Sequence, residues 1–213
     1  MLKKTTIKHY PELTAIHRKN YSFPTRFLYE KGVLNGDILD FGCGHGKDVE
    51  TLSKLNYQID KYDAFYHPNF PLKSYDVIFC HYVLNVIDRV EQTKVLAEVS
   101  FLLKPGGKAY YTVRRDLVNE GIRWHAIYKK PTYQCNVTLP YESIKKTKHC
   151  EIYCYEKPKS TGFILETIFA QVVIYDGNLL FQSLRNNKVK YLKAVEIIKE
   201  VLEHRCEINE LEI

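Results

Sequence analysis

The sequence has no long uninterrupted apolar run and no apolar segment near its start. Its most apolar stretch, GFILETIFAQVVIYDGNLLF, is interrupted by Glu166, Gln171 and Asp176, so no window approaches the roughly 18 apolar residues of a membrane-spanning helix. The first residues, MLKKTTIKHYPEL, contain lysines but lack the apolar core of a secretory signal. We therefore expect a cytoplasmic protein that does not bind a membrane.

The cysteines are scattered along the chain. Six cysteines in 213 residues are more typical of reduced thiols than of a disulfide framework in a chain of this length. Cys150 and Cys154 would share one face of a strand beside His149, but a structural zinc site requires four convergent ligands. We expect no metal centre.

The chain also lacks a long basic run, although its formal net charge is +6. Residues 1–35 hold seven Lys or Arg against two Glu, and residues 114–160 hold ten against five acidic residues. Two such segments could flank an anionic partner such as a nucleic acid. They could equally form a solvated lysine-rich surface, and the modest excess slightly favours this second interpretation.

Length and a hydrophobic content of 45% fit one globular domain with a small appendage. The segment SFPTRFLYEKGVL predicts a helix, with Ser22 as its cap and Gly32 as its stop. We divide the chain into a basic N-terminal helical segment (1–35), a central domain (36–160) and a C-terminal extension (161–213). The extension should contain two strands around a YDGN turn, followed by an amphipathic helix.

Strand and helix patterns alternate through the central domain. Strands are predicted at Asp37–Phe41, in YQIDKYDAF, in SYDVIFCHYVLNVI and in KAYYTVRRD. With the intervening helices, this alternation implies right-handed crossovers and an α/β fold with a doubly wound, mostly parallel sheet. The later segments TYQCNVTL and HCEIYCYE also have strand patterns, and we expect them to form an antiparallel edge pair.

Residues 38–46, ILDFGCGHG, run from an apolar strand through three glycines into a helix. This geometry lets backbone groups approach a ligand closely while a helix N-terminus faces it. The glycines do not follow the G-x-G-x-x-G spacing of dinucleotide sites, so dinucleotide binding is the weaker interpretation. Asp40 would repel a pyrophosphate, whereas it suits a ligand that carries an ammonium group.

With these features the sequence resembles the class I S-adenosylmethionine-dependent methyltransferases, whose first motif is an apolar strand, an acidic residue and G-x-G-x-G. Asp63 lies 23 residues after Asp40, where the family places the acid that binds the cofactor's ribose. YDVIFCHYVLNVI and VLAEVSFLLKPGGKAYYTV resemble a later strand, helix and strand of that fold, so the matches cover about residues 25–115. The resemblance implies a Rossmann-like fold that binds S-adenosylmethionine.

The resemblance also implies which residues hold the cofactor. Asp40 would lie near its methionine amino group and Asp63 near its ribose, with Asp60 as a rival three residues before Asp63. Cys43 is expected to be a small turn residue, not a nucleophile. The predicted cofactor-binding residues are Asp40, Gly42, Cys43, Gly44, Gly46, Asp63, Ala64, Phe65 and His81.

The chain departs from the family pattern between Asp63 and Asp76. Only 12 residues separate them, too few for the helix and strand that the family usually inserts there, so we expect a compressed third-strand region and a different adenine pocket. The segments TAIHRKNYSFPTRFLYEKGVL, YDAFYHP and YVLNVID also resemble methyltransferases associated with DNA phosphorothioation gene clusters. That resemblance implies a nucleic-acid connection and nominates Arg18, Lys19 and Arg26 as ligand-side residues. Alternatively, these three form a basic helix face.

The acceptor site of this fold lies beyond the carboxyl end of the strand that finishes in Cys80-His81-Tyr82. His81 is the candidate base or hydrogen-bond donor because a histidine's ordinary pKa lies near neutrality, and Tyr82 is the second candidate catalytic residue. A histidine here could instead hydrogen-bond neighbouring backbone. The predicted substrate-binding residues are Asn85, Arg114, Arg115 and Arg26.

Standard DNA base methylation is disfavoured. CHYV lacks the Pro-Pro-aromatic motif of the enzymes that methylate amino groups of bases, and no Pro-Cys nucleophile for cytosine occurs. GIRWHAIYKKPTYQ interleaves basic with aromatic residues, which suits stacking on a base or on an aromatic metabolite with an anionic group. Alternatively it is a covering loop packed by Trp124 and Tyr128.

The leading hypothesis is a methyltransferase that uses S-adenosylmethionine and acts on an oxygen or nitrogen of a nucleic acid or an anionic small molecule. The cofactor would supply the activation and the protein chiefly the alignment. A non-catalytic S-adenosylmethionine-binding or interaction module is the alternative, and a dehydrogenase is a weaker third.

Overall fold

A computed structural model describes residues 8–159, which build a six-stranded sheet and a separate two-stranded ribbon. The strands are β1 (Ile38–Phe41), β2 (Ile59–Tyr62), β3 (Tyr75–His81), β4 (Leu103–Arg114), β5 (Gly121–Trp124), β6 (Pro131–Gln134), β7 (Glu142–Lys146) and β8 (Cys150–Glu156). Their order in the large sheet is β2-β1-β3-β4-β8-β7. The first four of these are parallel, and β8 and β7 extend the sheet in antiparallel pairings.

Within residues 8–159 the α-helices are α1 (Phe23–Glu30), α2 (Lys47–Lys54) and α3 (Arg89–Leu102), and short 3₁₀ turns lie at Pro11–Thr14 and Leu84–Val86. Helix α1 begins at the predicted cap, where the Ser22 hydroxyl accepts a hydrogen bond from the Thr25 N–H. Helix α3 begins after Asp88, whose carboxylate accepts from two N–H groups of the first turn. Both helix starts therefore follow from capping residues that are visible in the sequence.

Both faces of the sheet are covered. On one face, Leu28 of α1 and Leu52 of α2 belong to an apolar cluster with Phe79. On the other face, Leu96 of α3 belongs to a second cluster with Ile78. Successive residues of β3 thus point to opposite sides of the sheet, which explains why this strand is continuously apolar. The predicted α/β fold with a doubly wound, mostly parallel sheet is confirmed.

The third-strand region is compressed, as predicted. Residues 63–74, between β2 and β3, contain no helix or strand and only one backbone bridge, between Asp63 and His67. Strand β2 is consequently the edge of the sheet, next to β1. Phe70 packs edge-on against Tyr62 with 5.2 Å between ring centroids, and it fills the core beneath this loop.

One predicted strand pairing is wrong. We expected TYQCNVTL to pair with HCEIYCYE, but β6 pairs with β5 in the ribbon, and β8 lies between β4 and β7. The ribbon is a local hairpin, closed where the His125 N–H donates to the Lys130 carbonyl oxygen at 2.8 Å. Closing a short loop costs less chain entropy than closing a long one, and an apolar pattern identifies a strand without identifying its partner.

The N-terminal segment before α1 is an arm, residues 8–21, that contacts both the sheet edge and the ribbon. The predicted C-terminal extension, 161–213, lies outside the described residues. Between residues 8 and 159, no helix has both the length and the apolarity needed to cross a bilayer.

Asp48, in the first turn of α2, ties α2 to the start of α1. Its buried carboxylate accepts hydrogen bonds from the Ser22 N–H at 2.6 Å, from the Ser22 hydroxyl at 2.7 Å and from the Thr25 hydroxyl at 2.8 Å. Three donors thus converge on one buried charge, which is the arrangement in which hydrogen bonds to carboxylates contribute most to stability.

We expect Asp48→Ala to lower the free energy of unfolding by about 3 kcal/mol, because buried donors lose their charged acceptor. Denaturant unfolding measures this change. Glu50→Ala is the matched control, since Glu50 lies on the same helix and makes only exposed ion pairs with Lys47 and Lys54, and such pairs contribute little. Equal losses in the two variants would contradict the role of Asp48.

Candidate active site

The parallel strands end side by side, and their carboxyl ends carry most of the predicted site residues. Asp40 lies in register with Phe79 on the neighbouring strand, and His81 lies in register with Thr112. Asp63 follows directly after β2. Ligands of open α/β sheets bind outside this edge, so the fold brings the candidate groups to the place where a site is expected.

The glycine turn, residues 42–46, depends on backbone conformations that other residues rarely adopt. The φ angles of Gly42, Gly44 and Gly46 are +81°, +53° and +75°, in the left-handed region. A Cβ at Gly42 would also overlap the side chain of Val83. The turn therefore brings bare backbone to the sheet edge, where a ligand can approach it closely.

Hydrogen bonds fasten the glycine turn to the end of β2. The N–H groups of Gly42 and Cys43 both donate to the Tyr62 carbonyl oxygen, at 2.7 and 3.0 Å. The Gly44 N–H donates to the Asp63 carboxylate at 2.9 Å. The glycine turn and Asp63, the acid predicted to bind the ribose, are thus held together by hydrogen bonds.

The geometry distinguishes Asp63 from its rival Asp60. The Asp63 carboxylate accepts from the N–H groups of Phe65 and Tyr66 at 3.0 and 2.9 Å, and it faces the glycine turn. Asp60 lies inside β2, and its carboxylate pairs with the Lys73 ammonium group at 3.0 Å. Asp63 is therefore the carboxylate that a ligand at the turn can reach.

The other predicted cofactor residues of this region are Cys43, Ala64 and Phe65. Ala64 and Phe65 are exposed in the loop after β2. Burial raises the pKa of the Cys43 thiol, and the carboxylates of Asp40 and Asp63 raise it further. The thiol stays protonated and is a poor nucleophile.

Asp40 is a buried carboxylate that makes no hydrogen bond to another side chain within residues 8–159. Burial raises the pKa of Asp40 well above its usual range, and the carboxylates of Asp48 and Asp63 add to this effect, whereas the Arg18 guanidinium opposes it. A cationic group placed against Asp40 would offset the free-energy cost of burying its negative charge. The ammonium group of S-adenosylmethionine fits this requirement.

His81 ends β3 with one ring nitrogen bonded and the other without a partner. Its Nδ1 lies 2.8 Å from the Thr112 hydroxyl oxygen, and its Nε2 is shielded from solvent with no hydrogen-bond partner in the described part of the chain. Burial lowers the pKa of His81 to about 4, against the opposing charge of Asp48 and with a smaller contribution from Arg18. The imidazole is therefore neutral at physiological pH, so the ordinary histidine pKa does not apply to it.

Tyr82 turns the chain away from β3 in a left-handed conformation, with φ of +65°, which costs a non-glycine residue about 1–2 kcal/mol. Its N–H donates to the Thr112 carbonyl oxygen at 2.8 Å. Burial raises the pKa of Tyr82. This side chain is a phenol that can donate a hydrogen bond, and it is not a base near neutral pH.

Asn85 connects backbone segments beneath the site. Its side-chain oxygen accepts from the Arg114 N–H at 2.7 Å, and its amide nitrogen donates to the Cys135 carbonyl oxygen at 2.8 Å. With 0% of its surface exposed, Asn85 is fully buried, and its contact with a substrate stays a prediction. Its role in this structure is to position the end of β4.

The three predicted arginines do not converge on one point. The Arg114 guanidinium pairs with Asp116 at 2.8 Å, and that of Arg115 pairs with Glu151 at 3.3 Å. Arg26 is exposed on α1 and lies 3.9 Å from a glutamate of its own helix. A ligand anion would have to compete with these carboxylates, and Arg114, at the end of β4, is the best placed to receive one.

The arm packs over the glycine turn, which sequence patterns did not predict. His17 stacks on His45 with 3.6 Å between ring centroids, and His45 packs against Tyr66 at 4.3 Å. The Tyr66 hydroxyl donates to the Glu12 carbonyl oxygen at 3.0 Å. The only signal in the sequence is the density of aromatic and histidine residues in HYPELTAIHRKNY, which has no helical or strand period.

Two further residues of the site were missed. Thr112 was detectable, because it is the polar residue inside the apolar strand AYYTV. Asp48 was not, because an acidic residue in the first turn of a helix is common and needs no special partner.

The chain is similar to a protein family and to several solved structures. A protein family described as a methyltransferase domain matches residues 15–153. A comparison with curated proteins gives no significant match. Similar solved structures include 1,6-didemethyltoxoflavin-N1-methyltransferase of Burkholderia thailandensis, at 14% identity and TM-score 0.45 over 63% of this chain and 76% of that one. They also include magnesium protoporphyrin IX methyltransferase of Synechocystis PCC 6803, at 14% identity and TM-score 0.43 over 63% of this chain and 80% of that one.

The family match spans more than half of the chain and includes the glycine turn, Asp63 and the ends of the four parallel strands. The turn, the uncompensated Asp40 and the accessible Asp63 fit the cofactor that this fold uses. The chain therefore belongs to the methyltransferase domain family, and it is an S-adenosylmethionine-dependent methyltransferase.

Proposed function

We propose that the enzyme methylates an oxygen or nitrogen atom of an acceptor that binds beside His81 and Tyr82, and that this acceptor is a nucleic acid or an anionic small molecule. The observation that carries the proposal is the unpartnered Nε2 of His81 at the strand end. A buried polar atom without a partner costs about 1–3 kcal/mol. An acceptor that hydrogen-bonds this nitrogen removes that cost.

S-adenosylmethionine supplies an activated methyl group, so the chain's own residues chiefly bind and align. We assign the cofactor's ammonium group to Asp40 and its ribose hydroxyls to Asp63. The glycine turn allows its backbone to lie close to the ligand. Phe65, a residue that is 62% exposed, offers an aromatic ring for the adenine where the usual strand is missing.

The Thr112 hydroxyl occupies Nδ1 of His81, so Nε2 is the nitrogen that we assign to the acceptor. If Thr112 donates to Nδ1, then Nε2 carries the ring hydrogen and can donate a hydrogen bond to the methyl acceptor. If Nδ1 carries the ring hydrogen, then Nε2 can take up a proton from the methyl acceptor. Both states use a neutral imidazole, consistent with a pKa of about 4. Tyr82 contributes a phenol that can donate a hydrogen bond.

Asp63→Ala should weaken the binding of S-adenosylmethionine at least tenfold, about 1.4 kcal/mol, because the ribose contact and the Gly44 anchor are both lost. Asp60→Ala is the matched control and should change the affinity less than about twofold, since Asp60 pairs with Lys73 away from the turn. Isothermal titration with S-adenosylmethionine and S-adenosylhomocysteine measures both. Equal losses in the two variants would contradict the assignment, as would a wild-type protein that binds neither compound.

S-adenosylmethionine should bind more weakly as the pH falls through the raised pKa of Asp40, because a protonated carboxyl no longer attracts an ammonium group. The shift is upward, so the loss begins above the pH at which an ordinary aspartate is protonated. Asp40→Asn should bind weakly at every pH and lose this dependence. Calorimetry between about pH 5 and pH 8 tests this, and a profile that survives in Asp40→Asn would assign the titration to another group.

Labelled S-adenosylmethionine, incubated with the enzyme and a fractionated cell extract, should place label in nucleic acid or in small molecules. His81→Gln should keep cofactor affinity and lose about 100-fold in the transfer rate. The wild-type rate should show no inflection near pH 6.5, because His81 stays neutral down to a pKa of about 4.

Other outcomes of the labelling experiment are also decisive. Label that enters protein alone would contradict the proposed acceptor classes. Tight cofactor binding without label in any fraction would favour a non-catalytic binding module.

A further inference from the structure

We propose that the ribbon, β5–β6 with its connecting loop (residues 121–134), forms together with the arm a binding surface for single-stranded nucleic acid, and that the acceptor belongs to such a strand. The inference rests on the proposed function and narrows its acceptor class. It is carried by exposed aromatic side chains, unpaired cations and the position of both segments beside the site.

Large apolar side chains at the tip of the ribbon face solvent. Trp124, Ile127 and Tyr128 are 70%, 78% and 60% exposed. Exposed apolar side chains are ordinary when they are scattered, but a group of them marks an interaction surface. Aromatic rings of this kind form stacking platforms for unpaired bases of any sequence.

The tip is held in place by local bonds. The His125 ring nitrogen Nδ1 accepts from the N–H groups of Ile127 and Tyr128 at 3.3 and 3.2 Å. The Tyr128 ring packs against the His125 ring with 5.0 Å between centroids. A ring presented in a fixed position loses less conformational entropy when a base stacks on it.

The charges around the tip complement a phosphate backbone. The ribbon contains no Asp or Glu, and its cations Arg123, Lys129 and Lys130 form no ion pair within residues 8–159. The same holds for Arg18 and Lys19 of the arm. Unpaired cations are available to phosphates without first breaking a salt bridge.

The opposite end of the sheet shows a different arrangement. There Lys104 pairs with Asp37 and Asp76 at 2.6 and 2.7 Å, and Lys73 pairs with Asp37 and Asp60 at 3.3 and 3.0 Å. These two lysines are therefore neutralised by carboxylates, unlike the cations of the ribbon and the arm.

The arm and the ribbon are physically joined. The Tyr10 N–H donates to the Pro131 carbonyl oxygen at 2.9 Å, the Lys130 ammonium lies 4.7 Å from the centre of the Tyr10 ring, and the His9 and Tyr133 rings pack at 5.5 Å. The two basic segments thus form one continuous surface.

This surface reaches the glycine turn. In the arm, His17 stacks on His45 of the turn with 3.6 Å between ring centroids. The Glu12 carbonyl oxygen accepts from the hydroxyl of Tyr66, which packs on the turn through His45. The cations are spread over two segments and do not converge on one point, which suits the successive phosphates of a strand better than one small anion.

Trp124 provides a direct test because it is the only tryptophan of the chain. Fluorescein-labelled single-stranded DNA and RNA oligonucleotides are titrated with the full chain, and both anisotropy and Trp124 emission are followed. We expect saturable binding that quenches the fluorescence of Trp124. A duplex of equal length should bind at least about tenfold more weakly. Trp124→Ala should lower the affinity for the single strand about five- to 100-fold.

The charge contribution is tested with paired variants. Lys129→Gln with Lys130→Gln should lower the slope of log affinity against log salt by about 1.4, for two phosphates on a single strand. Lys31→Gln with Lys145→Gln removes the same charge from the face near Phe27, where both ammonium groups lie over the Phe27 ring, and should leave the slope unchanged. Equal effects of the two pairs would reduce the binding to net charge and overturn the proposal.

The remaining outcomes separate this inference from the proposed function. If acrylamide cannot quench the fluorescence of Trp124, another part of the chain covers the surface, and the inference is overturned. S-adenosylmethionine binding by calorimetry without oligonucleotide binding overturns the inference alone. Absence of S-adenosylmethionine binding overturns the proposed function.

Discussion

Three carboxylates, Asp40, Asp48 and Asp63, crowd the end of β1, and hydrogen bonds compensate only two of them. Asp48 accepts three hydrogen bonds from the start of α1, and Asp63 accepts backbone N–H groups from the glycine turn and its own loop. Asp40 has only the distant opposing charge of Arg18. Ionised Asp40 therefore carries a free-energy cost of burial in the free protein, and a cationic ligand group placed beside it would remove that cost.

The same burial decides the chemistry of the neighbouring strand end. Desolvation outweighs the attraction of Asp48 at His81, so the pKa of His81 falls to about 4. At Tyr82 burial acts in the opposite direction on the pKa because the charged form is an anion. In the proposed function a neutral imidazole and a neutral phenol meet the acceptor, which suits a reaction whose activation comes from the methyl donor and whose protein contribution is alignment.

The features that could be predicted from sequence are those set by local rules. The glycines of the turn predict left-handed backbone, and the capping residues Ser22 and Asp88 indicate where helices begin. The short span between Asp63 and Asp76 excludes a further strand and helix. The partner of β6 could not be predicted, because alternation carries no information on pairing. The low pKa of His81 and the burial of Asn85 could not either, because both arise from residues distant in sequence that pack around them.

The cofactor side and the acceptor side of the site are built from different kinds of structure. The ends of parallel strands fix Asp40 and Asp63, the residues proposed for the cofactor, whereas the proposed acceptor surface comes from the arm and the ribbon, which lie outside the sheet. The arm contacts both sides, through His17 stacked on His45 and through Tyr10 bonded to β6. The proposed cofactor residues and the proposed acceptor surface are therefore joined by this single segment.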